Sequence, residues 1–263
     1  MINSFSKEQK GAILAAVILF LILYFGFDIV PDEQKQLEKS RMLSTEATSV
    51  QNLIMDARQE LGSKYGVIEA LTMELNGLEF DSLKTETLKT LSSKWYELGY
   101  PAISGYYAEE IAKTSNESDA WAIAGTTYML AMQNATEEKV KNWSFNRAIQ
   151  ALETAVSLNP EDIESRINLA LGYIENPTAD NPMQGILMLR QLNEENPRNV
   201  KVLAQLGRLS LVTNQIENAL KRLKEAESIE PDNKNVICLL AQAYDKAGDS
   251  NKAATYNEKC FAN

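Results

Sequence analysis

Residues Asn199 to Asn233 read NVKVLAQLGRLSLVTNQIENALKRLKEAESIEPDN. Leu203, Leu206, Gly207 and Ser210 return at intervals of three and four, so they share one side of a first helix. Ala219, Leu223 and Ala226 do the same for a second helix, which Pro231 ends. A small residue such as Gly207 or Ala219 lets two helix backbones approach closely, and Leu223 fills the space one turn further on. The closing proline recurs. Asn159-Pro160, Asn196-Pro197 and Glu230-Pro231 follow one another at about 34 residues. Such a period marks an array of helical hairpins, each burying its apolar side only against its neighbours.

Neighbouring stretches repeat the pattern less cleanly. Downstream come Ile237, Leu240, Ala241, Tyr244, Gly248 and Ala253. Upstream come Leu171, Gly172, Gly185, Leu189 and Pro197, interrupted by a turn-rich insert from Asn176-Pro177 to Asn181-Pro182. Before them stand Trp121, Gly125 and Tyr128, then Ala148, Leu152, Ala155 and Pro160. Extra residues, roughly 133–143, predict a longer loop or a helix extension there. Leu98-Gly99-Tyr100-Pro101 predicts a turn between Leu88, Leu91 and Trp95 and Ala108 and Ile111. The units therefore run over about 83–116, 117–162, 163–198, 199–233 and 234–263.

These positions resemble the tetratricopeptide repeat (TPR), whose pattern is W-x2-L-G-x2-Y, then A-x3-F, then P. The resemblance covers roughly 83–263 and implies an all-α, right-handed superhelical solenoid of helical hairpins. It makes Trp121, Gly125, Tyr128 and Gly207 core residues and is silent about ligand. It also implies that the first helix of each hairpin lines a concave surface. By register, the residues there are Thr126, Met129, Arg166, Leu169, Tyr173, Lys201, Gln205, Arg208, Asn235, Gln242 and Lys246. Basic residues are prominent among them, which suits an extended or helical segment of acidic character. Some TPR proteins grip a C-terminal carboxylate through fixed Lys, Asn and Arg residues. The matching positions here include Ala122 and Thr126, so that mode is not implied.

Composition narrows the function. The 263 residues carry 36 acidic against 26 basic side chains, a net charge of −10. Phosphate binding normally shows the opposite balance, so no nucleic-acid partner is expected. There is no histidine, which removes His-based acid–base chemistry, Ser-His and Cys-His nucleophile pairs, and His-ligated zinc or haem. Neither a phosphate loop nor a dinucleotide fingerprint is present. Glu109-Glu110 and Glu194-Glu195 read as solvated helix faces, because adjacent helical residues do not face each other. No cofactor, metal or catalytic residue is expected. Cys238 and Cys260 form no C-x-x-C motif. Antiparallel helices bring their two ends together, so a bridge is geometrically open, but the pair reads as two packed thiols.

The N-terminal tail, 1–10, precedes an uncharged run, GAILAAVILFLILYFGF, from Gly11 to Phe27. As a helix it spans roughly 25 Å, a little under a bilayer core of about 30 Å. Lys10 can snorkel, and Ile29 and Val30 extend the run. Residues 11–30 therefore read as one transmembrane helix. The long run and the absence of a small-x-small cleavage pattern favour an uncleaved anchor over a signal peptide. Lys7 and Lys10 with a short tail suit an N-inside orientation at the inner (cytoplasmic) membrane, with the repeats periplasmic. Residues 31–82 form a stem. Leu43, Ala47, Val50, Ile54, Ala57 and Leu61 make a heptad-type seam, which either packs on Ile68, Leu71 and Leu75 as a degenerate first hairpin or self-associates.

Together these readings imply a non-catalytic, membrane-anchored adaptor that binds other polypeptides. By topology it resembles the ancillary TPR subunit of the bacterial Sec translocon and its periplasmic chaperones. The alternatives are an assembly factor for c-type cytochromes and a structural subunit of an envelope complex.

Overall fold

A computed structural model describes residues 48–262 apart from 79–80 and 178–180. The anchor expected over 11–30, and the stem as far as Ala47, lie outside the described residues. Among the described residues twelve α-helices follow in order: α1 Val50–Leu61, α2 Gly66–Gly77, α3 Asp81–Glu97, α4 Pro101–Ser115, α5 Ser118–Asn134 and α6 Glu138–Leu158, then α7 Ile163–Glu175, α8 Gln184–Glu195, α9 Val200–Val212, α10 Ile216–Ile229, α11 Lys234–Lys246 and α12 Ser250–Phe261. No strand occurs among the described residues. No described helix is long and apolar enough to cross a membrane.

From α3 onward the helices pair as hairpins, α3 with α4 through to α11 with α12, and each hairpin packs on the next. Local chemistry sets the boundaries. Gly99 takes φ 88°, a left-handed backbone that glycine adopts without a Cβ penalty, and Pro101 then occupies the first turn of α4. Pro160, Pro197 and Pro231 lie within the turns rather than at the first helical position. Two residues further on stand Asp162, Asn199 and Asn233. Each side chain accepts from backbone N–H groups of the helix it opens, at 3.1–3.2 Å. The repeating signal is therefore Pro-x-Asx, in which proline stops one helix and the Asx side chain caps the next. Past a short link at 135–137, the extra residues before the Ala148 position are helical and lengthen α6 to 21 residues.

Helix crossings are closed by small residues. A Cβ on Gly185 would lie 2.2 Å from the backbone oxygen of Ala170, so only glycine fits where α8 crosses α7. The Gly207 position meets the fully buried Leu223 in the same way across α9 and α10. Core clusters pass the apolar contact from hairpin to hairpin. Ile167, Ala170, Leu189 and Leu192 meet Val202 and Leu206 of the following unit, and Leu203 and Leu223 meet Leu240 and Tyr244 of the last.

The N-terminal region follows another plan. The chain turns at Gly62, φ 53°, through a 3-10 segment Gly62–Tyr65. Helix α1 then packs on α4, and α2 packs on α3. Val50 and Ala57 of the heptad-type seam are buried, and Ile54 joins the same packing. These three pack within the chain, and Leu43 and Ala47 of the seam lie outside the described residues.

Two sequence expectations are corrected here. Cys238 and Cys260 are joined as a disulfide, with Cα atoms 5.0 Å apart, not left as two thiols. They stand one repeat after Ala204 and Ala226, which are buried in one core cluster. In the last hairpin, cysteine at both of these repeat positions places the sulfurs in reach. Glu109, expected on a solvated face, is 6% exposed. The turn of α4 directs it under α5 and α6, where Tyr128 Oη donates to it at 2.8 Å. Lys113 lies 2.8 Å away and Arg147 3.4 Å.

Candidate polypeptide-binding groove

The first helices of the last three hairpins, α7, α9 and α11, begin at equivalent caps, so counting from Asp162, Asn199 and Asn233 sets a common register. Eight residues on stand Ala170, Gly207 and Ala241, the small residues that face the paired helix. Two residues on stand Glu164, Lys201 and Asn235, all exposed. Six on, α7 and α9 present Asn168 and Gln205. Nine on stand Leu171, Arg208 and Gln242. In α7 and α9 the two-on and six-on positions turn away from the core because the eight-on position is turned into it, whereas the six-on position of α11 is the buried Leu239. Glu164, Asn168, Leu171, Lys201, Gln205 and Asn235 line one depression of about 280 Å³ across the three helices.

Its electrostatics are mixed. Lys201 of α9 forms an ion pair with Glu164 of α7, bridging two units. Arg208 donates through Nε to Gln205 Oε1 at 3.0 Å. The polar walls thus offer amides and one neutralised cation, above a floor that includes Ile167 and Ala204, with the Arg208 guanidinium beside them. Side chains of this kind hydrogen-bond a polypeptide main chain, which is amide on both edges.

Of the expected residues, Lys201, Gln205 and Asn235 line the groove together. Arg208, Gln242 and Lys246 sit on α9 and α11 beside it. Thr126 is half-buried on α5, its hydroxyl turned back to the Ala122 carbonyl at 2.9 Å. Met129, Leu169 and Tyr173 are not available to a partner. They are buried together in the core between α5, α6 and α7. Tyr173 Oη donates to Glu153 at 2.6 Å, and its pKa is pushed up to about 12 by burial and by that carboxylate. Arg166 is directed to the opposite flank of α7, beside Pro160 and Ile163, where it meets Glu195 at 2.7 Å. Hydrogen bonds from Gln191 and from Arg166 hold the Glu195 carboxyl below the usual range.

The reason for the α7 misplacement is a two-residue slip. Leu171-Gly172 matches the L-G step of the repeat in letters, but Ala170 occupies the structural place of Gly207. Gly172 instead faces Ile149 and Met129 of the preceding unit. Glu164, Asn168 and Leu171 escape the sequence reading for this reason. The Asp162 cap, two residues after Pro160, carries the register that locates them.

No known family profile and no curated protein matches the chain. Among solved structures, it is similar to a thermophilic TPR protein of Thermus thermophilus. The two share 19% identity with a TM-score of 0.51, over 67% of this chain and 89% of that one. The fold is that of a TPR array. MamA of Desulfovibrio magneticus RS-1, residues 41 to the end, aligns at 15% identity and a TM-score of 0.46, over 70% of this chain and 95% of that one.

Proposed function

We propose that the chain is a membrane-anchored, non-catalytic scaffold that holds a segment of another polypeptide in the α7–α9–α11 groove, on the outer side of the cytoplasmic membrane. The observation that carries this reading is the shared register of the three first helices. It buries one small residue per helix and leaves Glu164, Asn168, Lys201, Gln205 and Asn235 facing one depression. The placement is supported by two features. Residues 11–27 hold no charge over a length suited to a bilayer. The Cys238–Cys260 disulfide belongs to an oxidising compartment and is uncommon in the cytosol. Tethering at one end raises the local concentration of the groove for partners in or beside the bilayer.

Within this reading the partner class is a protein of the envelope: a translocation or chaperone assembly, an apocytochrome handler, or a larger structural complex. Affinity purification of the full chain from mild detergent separates these. Translocon subunits and membrane chaperones, or haem-handling proteins, co-purify with the unmodified chain. An Asn168→Ala/Lys201→Ala/Gln205→Ala variant that recovers the same partners in full would sink the groove assignment. An alkaline phosphatase fusion after Asn263 that is inactive in cells would sink the placement outside the cytoplasm.

A further inference from the structure

A second depression lies away from the groove, where α1 meets the α3–α4 turn and the α5–α6 turn. Its volume is about 230 Å³. The half-buried Leu53 and Val140 supply apolar walls, with the core residues Ala57 and Ile103 packed beneath them. Three carboxylates stand at the rim, Asp56 and Glu60 from α1 and Glu137 from the start of α6. Tyr100 Oη donates to Glu60 at 2.8 Å, which fixes that carboxylate at the edge. The lining holds no lysine or arginine, and Lys139 stands beside Glu137. It pairs with Glu137 at 3.0 Å, and Asp56 also raises its pKa, after the larger effect of Glu137. Three carboxylates against that ammonium leave the mouth acidic.

An apolar slot with an acidic mouth matches one kind of side chain: a long aliphatic stem that ends in a cation. Lysine and arginine bury their methylenes along apolar surface and keep the charge at the edge. Arginine fits better, since its planar fork serves two carboxylates at once. We infer that this slot is an anchoring site for an arginine side chain of a partner polypeptide, separate from the groove. It needs nothing from the groove to operate, and the failure of either site leaves the other intact.

The test uses the full chain in detergent and two short probes, acetyl-Leu-Arg-Leu-amide and the same peptide with citrulline, which keeps the shape without the charge. The readout is the shift of backbone amide NMR signals on titration. The arginine peptide shifts the signals of Asp56, Glu60, Tyr100 and Glu137. Its binding is about fivefold tighter than that of the citrulline peptide, the scale of one or two exposed ion pairs. Asp56→Asn/Glu60→Gln removes this preference, while the new amide oxygen can still accept from Tyr100. If that variant does not fold, the two probes on the unmodified chain decide alone. Equal shifts from both peptides, or shifts confined to Lys201 and Gln205, overturn the inference. Binding that appears only after Lys35→Ala, Lys39→Ala and Arg41→Ala also overturns it, because the occupant is then the chain's own N-terminal segment.

Discussion

At the C-terminal end α11 and α12 close on each other as an antiparallel hairpin, whereas at the N-terminal end α1 and α2 each pack on a different helix of the next unit. The C-terminal hairpin is capped by Asn233 and Asp249 and clamped by a disulfide. Helix α12 buries only Ala253 and Cys260 and presents Asn251, Lys252, Thr255 and Glu258 to water. Those positions make its outward face polar, and Phe261 beyond them is 79% exposed. The N-terminal helices are held by large side chains instead. Trp95 is fully buried, with Tyr65 and Tyr100 edge-on at 6.1 and 5.6 Å. Their outer face keeps Met55, Val67 and Met73 more than half exposed. The repeat pattern is a rule for stacking like on like. Where the preceding hairpin is not of the same kind, the chain substitutes aromatic bulk for small-residue crossings.

The contrast is broken most directly by truncating one anchor at each end. Trp95→Ala removes the largest fully buried side chain of the N-terminal core and costs about 4 kcal/mol. Leu223→Ala, also fully buried, costs about 3 kcal/mol. In a quasi-one-dimensional array each loss stays local. Hydrogen exchange therefore accelerates in α1–α4 for the first variant and in α9–α12 for the second. Uniform acceleration across the described helices in either case would refute independent ends.

The disulfide comes next. Closing a loop of 22 residues stabilises a chain by about 3 kcal/mol. Cys238→Ser/Cys260→Ser lowers the thermal midpoint and loosens α12 first, while exchange in α1–α4 is unchanged. A midpoint equal to that of the unmodified chain would remove the clamp from the comparison.

How much of this can be read in the sequence differs from place to place for physical reasons. The helical hairpins are legible because proline and the periodic apolar faces act locally. The register of α7 is not, because glycine serves two purposes. At Gly207 it admits the paired helix, and at Gly172 it admits the previous unit, and the letter does not say which. Glu109 is misread for a related reason. A carboxylate is buried only when partners arrive from elsewhere, and Tyr128 and Arg147 are 19 and 38 residues away. The disulfide is half legible. Its two positions mirror Ala204 and Ala226, but contact between those positions is a property of the folded hairpin.

A smaller effect separates capped from uncapped starts. Asn199→Ala removes the bond to Val202 and costs about 1 kcal/mol. The same truncation of Glu117, at the start of α5, leaves stability unchanged within a few tenths of a kcal/mol, because its side chain makes no cap bond. Thermal unfolding of the two variants decides it, and equal losses would mean that the Asx caps contribute nothing specific.

The smallest effect at neutral pH becomes visible only in alkali, and it touches both ends at once. Tyr100 at the N-terminal end donates to Glu60, and Tyr256 at the C-terminal end donates to Glu227 at 2.9 Å. Burial first, and the carboxylate second, push each phenol up to about 12. An unfolded tyrosine ionises near 10. A group whose folded pKa is raised contributes stability that is complete below the unfolded value and lost as pH rises through the folded one. The window is therefore about pH 10 to 12, and at neutral pH both phenols keep their protons. Both phenols are partly open to solvent, so screening reduces the contribution of each. Tyr256→Phe and Tyr100→Phe each flatten the decline in thermal midpoint across that window, by similar amounts. If Tyr256→Phe alone does so, the disulfide-clamped end unfolds last and the N-terminal tyrosine ionises from an already opened hairpin. The two ends then differ in the order of opening as well as in packing.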